Sequence, residues 1–304
     1  MGHHQSLDYQ IVQRFQSILR IGESKHAHKL AGDANKYIFS YSTYHSYCKH
    51  AKLFAAWLRK NHKECKKLSQ AQKYVNEYLE YRINQQQRSA YTIKLDLSAL
   101  VKLYGGSTAS DYIPTPPRLR KDIKRSRHEL PHHKHFSEKR NAMLVATAKA
   151  TGLRRSELCQ LRCGDWEFDP GSGPNPEPKY YILVSRGAKG GRPRRAEVLC
   201  DDPEAIINFM KAQGGAMDKV FKKPISKAAP IHAWRAEYAT AVYLKYARPL
   251  DTLPRKEIYY CRKDRKGIKF DKKAMGHASA CLGHSFGRYS VVGEHYIRLP
   301  QNIS

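Results

Sequence analysis

Apolar side chains recur at three- and four-residue spacing through the first hundred positions. In LDYQIVQRFQSIL, residues 7–19, Leu7, Ile11, Val12, Phe15, Ile18 and Leu19 share one helical face, with Gly22 as the stop. A polar, basic stretch follows over 23–39. YHSYCKHAKLFAAWLRK then resumes the period through Tyr47, Cys48, Ala51, Phe54, Ala55 and Leu58. A third helix is predicted from Ser69, where SQAQ reads as a capping box closed by Gln72, and it continues through Val75, Tyr78 and Leu79. A fourth starts near Ser89, carries Ile93, Leu97, Leu100, Val101 and Tyr104, and stops at Gly105-Gly106. No alternating pattern competes, so residues 1–110 are expected to form a small all-helical domain. The segment SDYIPTPPRLRKDIKRSRHELPHHKH is rich in proline and cations and reads as a linker over 111–135.

From 136 onward the period changes. SEKRNAMLVATAKATG predicts a helix ending at Gly152, with Ser137 as a candidate cap, and RRSELCQL a second with Leu158 and Leu161 inward. KYYILVS and RRAEVL are short β-like runs around RGAKGGRP, a hairpin signal. DPEAIINFMKAQ and HAWRAEYATAVYLKYA are helical, EIYYCRKDRKGIKFD reads as a second hairpin, and the end from about Lys273 as two helical pieces. The expectation is a mainly α protein: a helical N-terminal domain, then an α+β domain over 136–304 with a small antiparallel sheet.

Charge narrows the function. Lys and Arg total 55 against 27 Asp and Glu, a formal charge of +28, and the excess recurs along the whole chain of 304 residues. Such a surface suits a protein that lies along a polyanion, with nucleic acid as the obvious one. The seven cysteines are odd in number and irregularly spaced, which reads as reduced, packed thiols rather than a disulfide framework or zinc site. No signal-peptide pattern or membrane-spanning run is seen.

Four short motifs come next, in order: Arg154 in TGLRRSEL, Lys189 in GAKGG at a hairpin tip, His232 and Arg235 in HAWR, and His284 in LGHS. Tyrosine follows, at Tyr289 and Tyr296. Taken singly each has an ordinary reading: a solvated arginine, a turn lysine, a chance His and Arg pair, a helix junction, a packing aromatic. Spacing of i and i+3 puts His232 and Arg235 on one helical face. Together they supply what transfer of a DNA phosphodiester needs. Two guanidinium groups can fork onto the non-bridging oxygens, and histidines can hydrogen-bond them or move a proton. A lysine can protonate the departing 5′-oxygen, and a tyrosine can hold the phosphoryl group covalently. A phenol of pKa about 10 leaves more readily than an alkoxide, so the reverse step stays feasible. No P-loop or metal-ligand cluster is present, so neither nucleotide nor metal cofactor is expected.

This ordered set strongly resembles the tyrosine recombinases (phage-type integrases), over about residues 136–298. The stretch YYCRKDRKGIKFDKKAM with LGHSFGRYSVVGEHYIR is similar to integrases of integrative and conjugative elements. The resemblance implies a helical core-binding (SAM-like) domain ahead of the catalytic domain. It implies cleavage and rejoining of double-stranded DNA through a 3′-phosphotyrosyl intermediate, for integration and excision of a mobile element. The implied catalytic set is Arg154, Lys189, His232, Arg235, His284 and a tyrosine nucleophile. A homotetramer on two DNA sites, accessory DNA-bending or directionality proteins, and a bacterial cytoplasmic, nucleoid-associated setting are implied as well.

Details depart from the family. At its usual spacing from the LGH histidine this sequence has Gly293 and Glu294; Tyr289 is early and Tyr296 late. Tyr296 is favoured, because VVGEHYIR resembles the family's terminal helix with Val292 one turn earlier, while Tyr289 reads as a packing aromatic. Few residues and a proline follow Tyr296, so coupling of protomers through a longer C-terminal helix either uses another element or needs a longer protein. Glu157 either orients Arg154 or a histidine, or serves the helix dipole. Arg155, Arg186, Arg192, Arg194 and Arg195, with Arg118, Arg120 and Lys121 of the linker, are expected on DNA. The insert 248–273 contacts DNA or a partner or is a basic surface hairpin, the last being favoured. Residues 1–40 are an arm-site element, an extra helix of the core-binding domain, or partly disordered. A type IB topoisomerase-like enzyme and a catalytically inactive DNA-binding regulator are the alternatives.

Overall fold

The computed structural model describes residues 5–105, 108–119, 135–172, 175, 177–188, 193–262 and 265–299. The chain divides into two compact units, Met1–Asp122 and Ile123–Ser304. The first is helical. Ser6 caps α1 (Leu7–Ser17), its Oγ accepting from the Tyr9 N–H at 3.2 Å. The helix ends two residues before Leu19, because Leu19 forms a parallel bridge with Ile38. Between them, the polar stretch 23–39 contains a short α2 (Lys25–Leu30) that apolar periodicity does not reveal, having no buried residue. Helix α3 (Tyr41–Asn61) packs on α1, and Ile11, Phe15, Phe54 and Leu58 are all within one core. Helix α1 thus shares the core of this unit.

The third predicted helix is a broken one. It runs as α4 (Leu68–Ala71), a 3-10 turn at Gln72–Tyr74, α5 (Val75–Glu80) and a π turn at Tyr81–Gln85. The Ser69–Gln72 capping box does not form: the helix starts at Leu68, one residue before the supposed cap. Gln10 of α1 does the work instead, its Oε1 accepting from the Leu68 N–H at 2.9 Å while its Nε2 donates to the Lys66 carbonyl at 2.9 Å. Helix α6 (Ala90–Tyr104) follows the sequence closely. Ser89 Oγ accepts from the Thr92 N–H at 3.3 Å, and Gly105 ends the helix at φ 68°, a left-handed conformation suited to glycine.

The second unit opens with a 3-10 turn at Lys139–Asn141, where Ser137 Oγ accepts from the Arg140 N–H, and continues as α7 (Ala142–Thr151). Gly152 turns the chain at φ 59° beneath the Tyr238 ring, which leaves no room for a Cβ, and α8 (Arg155–Leu158) follows. Strands β1 (Trp166–Asp169), β2 (Lys179–Val184) and β3 (Arg194–Glu197) form an antiparallel sheet in that order. The expected hairpin is β2 and β3, with Ile182 paired to Ala196 and both buried. Strand β1 was not foreseen: one of its apolar residues, Phe168, is exposed, so the run gives little burial signal. Asp202 caps α9 (Pro203–Ala212), and α10 (Ile231–Tyr246) crosses the unit.

The insert 248–273 holds two 3-10 turns and the antiparallel pair β4 (Ile258–Tyr260) and β5 (Lys269–Asp271). It is more than the expected surface hairpin. Phe270 is fully buried, in one cluster with Tyr243 of α10, Met275 of α11 (Lys272–Cys281) and Val292 of α12 (Tyr289–His295). Arg248 forks onto Asp271, both bonds 2.8 Å, fixing the base of the insert. The architecture is therefore mainly α with a small antiparallel sheet, and no described helix is long and apolar enough to cross a membrane.

In the first unit, Asp96 of α6 is fully buried between His50 of α3 and Arg82 of the π turn, whose Nε donates to it at 2.9 Å. Removing one partner of a buried ion pair strands the other charge. Asp96→Ala is expected to lower the stability of this unit by about 3–5 kcal/mol, read by urea denaturation, with the transition of the second unit unmoved.

Candidate active site

The left-handed turn at Gly152 delivers Arg154 to the start of α8, where it is the N-cap. Its backbone N–H donates to Glu157 Oε2 at 2.6 Å, its Nη1 to Glu157 Oε1 at 2.6 Å, and its Nη2 to the Leu282 carbonyl at 3.1 Å. Arg235 of α10 is fully buried and reaches the same oxygen: it donates to the carbonyls of Gly152 and Leu282. Burial first, and the charge of Arg154 second, pull its pKa down to about 10. Arg154 and Arg235, 81 positions apart in sequence, thus meet at the turn that follows α11.

His284 lies in that turn. Its Nε2 is buried with no hydrogen-bond partner among the described residues, as is Nε of Arg235. Burial, then the charges of Arg235 and Arg154, hold its pKa at about 4. The Tyr296 ring centroid is 5.9 Å from that of His284 and 5.5 Å from the guanidinium carbon of Arg235. Tyr296 is not within the last helix, as expected, but just past it: α12 ends at His295, and Tyr296 is the C-cap, its N–H donating to the Val292 carbonyl. Tyr289 starts α12 and pairs instead with Tyr259 of the insert, centroids 6.2 Å apart. His232 is exposed although Arg235, one turn on, is buried. Partial desolvation of the ring, then the charges of Arg235, Arg155 and Arg154, push its pKa down.

The other expected residues divide. Lys189, Arg192, Arg120 and Lys121 lie outside the described residues. Arg155, expected on phosphate, turns its guanidinium inward onto the carbonyls of Ile225, Ser226, Lys227 and Ala229 and so ties the loop before α10 to α8. Arg194, also expected on DNA, has its side chain buried and forks onto Glu157, both bonds 2.7 Å. Arg186 is paired with Asp165, and Arg195 with Glu167 over the Tyr181 ring. Arg118 is exposed beside Tyr91.

Two residues without a sequence expectation for this role support the site. Arg194 is one; its place two before Ala196 on the inward face of β3 is the period-two signal that marks it. Arg265 of the insert is the other, donating to the carbonyl of Gly293 and reaching that of Ile297 at 3.5 Å, on either side of Tyr296. No local pattern in the sequence identifies Arg265. Glu157 carries both Arg154 and Arg194. Burial raises its pKa, but the bonds and charge of Arg194, with those of Arg154, outweigh this and hold it at about 2. The arrangement is a cationic recess with a neutral histidine and a phenol at its edge, suited to an anionic phosphoryl group.

The family model of the phage integrase N-terminal SAM-like domain matches residues 33–111, the span of α3 to α6. This part of the chain is similar to that domain family, which agrees with the tyrosine-recombinase resemblance carried by the motifs of the second unit. Among solved structures, the chain is similar to the Tn1549 transposon integrase in complex with transposon right end DNA. Identity is 15%, with 97% of this chain and 96% of that one covered and a TM-score of 0.46. For the same integrase in complex with circular intermediate DNA the figures are 12%, 98%, 97% and 0.48, and for XerA recombinase 15%, 97%, 95% and 0.32. With so low an overlap these likenesses carry no argument beyond themselves. No curated protein matches the chain.

A histidine whose folded pKa lies below its unfolded value of about 6.5 is neutral in the folded protein wherever pH exceeds the folded value. As pH falls below about 6.5 the unfolded chain takes up the proton first, so the stability associated with neutral His284 is lost between there and about 4. In the free protein the His284 ring is expected to show no titration between pH 8 and about 5 by NMR, while an exposed histidine titrates near 6.5.

Proposed function

We propose that the protein is a site-specific DNA recombinase that cleaves and rejoins double-stranded DNA through a 3′-phosphotyrosyl intermediate, in the integration and excision of a mobile element. The observation that carries this reading is the meeting of Tyr296, Arg235, His284 and Arg154, from widely separated stretches, around the Leu282 carbonyl. An integrase-type SAM-like domain in the same chain supports it.

In the proposed reaction Tyr296 Oη attacks phosphorus and the bond to the 5′-oxygen breaks. Arg154 and Arg235 neutralise the charge that builds on the non-bridging oxygens. The nitrogens of Arg235 and His284 that have no partner among the described residues supply hydrogen bonds to those oxygens. The phenolic proton passes to a histidine, His284 or His232, both of which are predisposed to be neutral by their lowered pKa values. The leaving 5′-oxygen takes a proton from Lys189. Because the phosphodiester energy is kept in the tyrosyl bond, the reverse attack by a 5′-hydroxyl reseals DNA without a nucleotide cofactor. The reading extends to a homotetramer on two DNA sites, to accessory DNA-bending or directionality proteins, and to a bacterial cytoplasmic setting on the nucleoid.

The test is a nicked DNA substrate carrying the recombination site, which traps the covalent intermediate. Wild type and Tyr289→Phe are expected to form the adduct, and Tyr296→Phe to form none. Adduct retained by Tyr296→Phe overturns the choice of nucleophile. No adduct from the wild type on any site-bearing DNA favours an inactive DNA-binding regulator. Relaxation of supercoils without exchange between two sites favours a topoisomerase.

A further inference from the structure

Arg194 was expected to grip DNA, yet its side chain is only 6% exposed and the carboxylate it holds, Glu157, only 1%. A buried guanidinium that spends its donors on the protein cannot meet a phosphate, so its role must lie inside. We propose that Arg194 is a positioning residue that fixes Arg154 and the turn carrying His284 as one unit; this rests on the recombinase reading only for the consequence in catalysis.

The geometry gives Arg194 two holds. Its Nη1 and Nη2 donate to Glu157 Oε1 and Oε2, each at 2.7 Å, a two-point fork that fixes the plane of the carboxylate. That carboxylate in turn receives both the backbone N–H and the Nη1 of Arg154. The third donor, Nε, goes to the carbonyl of Cys281 at 2.9 Å, the residue before Leu282. The Leu282 carbonyl receives the other end of Arg154 and also Arg235. Arg194 therefore braces both points that hold the Arg154 guanidinium, through Glu157 on one side and the backbone at 281–282 on the other.

The turn itself is shaped around this side chain. Gly283 has φ +73°, and a Cβ there would lie 2.9 Å from Arg194 Cδ and 3.0 Å from its Nη1. Glycine is thus required twice, for the conformation and for the close approach of the arginine stem. The next residue is His284, held by its N–H to the Ser279 carbonyl at 2.9 Å. Charge adds a second reason for the arrangement. With Arg194 removed, the buried carboxylate has Arg154 as its only cation among the residues bonded to it, and the pair closes into a single salt bridge. Arg154 would then be drawn to Glu157 and away from phosphate. Arg194 shares the carboxylate and leaves Arg154 the surplus charge that phosphate needs.

Arg194→Lys keeps the charge but cannot make the fork or reach three acceptors. It is expected to lower the rate of covalent adduct formation by about 100-fold, the size of effect a small misplacement of a catalytic group produces. DNA affinity should be unchanged. Because Arg194 acts through the residues it braces, Arg154 among them, the Arg154→Lys, Arg194→Lys double variant should lose less than the two single losses combined. Additive losses, or a wild-type rate in Arg194→Lys, overturn the proposal.

A readout in the free protein separates this from the functional reading. Amide exchange at Arg154, Gly283 and His284 should accelerate at least about 10-fold in Arg194→Lys, with the rest of the second unit unmoved. Exchange that accelerates while the wild type forms no adduct leaves the brace standing and the recombinase reading refuted. Unchanged exchange refutes the brace. Should Arg194→Lys fold poorly, the paired Glu157→Met, Arg194→Met variant removes both buried charges at similar volume. It is expected to fold and to cleave slowly, and wild-type cleavage by it overturns the proposal.

Discussion

Two guanidinium groups, Arg154 and Arg235, donate to a single carbonyl oxygen, that of Leu282, and most of the second unit is arranged so that they can. Arg235 is buried, and the like charge of Arg154 adds to this, which is why its proton is held less firmly than an arginine's usually is. The carbonyl lone pairs, the Glu157 carboxylate and the Gly152 carbonyl offset that repulsion. Counting Arg154, Arg194 and Arg235 against Glu157, three positive charges less one negative leaves +2 around the turn, with His284 neutral. On the proposed reading, a recess with surplus positive charge and fixed donors is already organised for the charge of the transition state and need not rearrange when that charge develops.

Around this constraint the elements have clear tasks. The left-handed Gly152 lets α7 turn sharply into α8, so that Arg154 becomes a cap residue facing the site. Helix α10 carries Arg235 inside and His232 outside, one turn apart on the same helix. Strand β3 contributes Arg194, and α11 ends at the carbonyls that the arginines use. The insert, far from idle, seats α12: its Tyr259 and Phe270 close over Gly293 together with Met275 of α11, where a Cβ would lie 2.8 Å from the Met275 methyl, and Arg265 holds carbonyls on both sides of Tyr296. A phenol just past a helix end is less constrained than one within it, and these contacts set its place beside Arg235 and His284.

Local sequence chemistry carried far where the determinants are local. Helix α6 begins at Ser89 and ends at Gly105 because a hydroxyl cap and a left-handed glycine act within one turn. The ordered motifs of Arg154, His232, Arg235 and His284 were legible because each sits at a helix start, a helix face or a turn whose residue types are distinctive. It failed where a distant group decides. The start of α4 is set by Gln10, 58 positions away, which supplies the cap that Ser69 was expected to supply. Helix α2 and strand β1 bury too little to leave a pattern.

The sequence by itself determined the class of chemistry: strong positive charge, helical first unit, and an ordered set of arginine, histidine and tyrosine. It also narrowed the candidate nucleophile to Tyr289 or Tyr296 and favoured Tyr296. Only the tertiary structure decided which tyrosine stands beside Arg235 and His284, and which arginines face inward. Those questions depend on where α12 starts after the turn at 282–288, and on which carbonyls and carboxylates a long side chain meets. A guanidinium in the sequence carries the same charge whether it ends on DNA or on Glu157. For Arg155 and Arg194 the partner is internal because folding brings carbonyls and a buried carboxylate within reach, and a buried carboxylate left unpaired costs more than an exposed arginine gains.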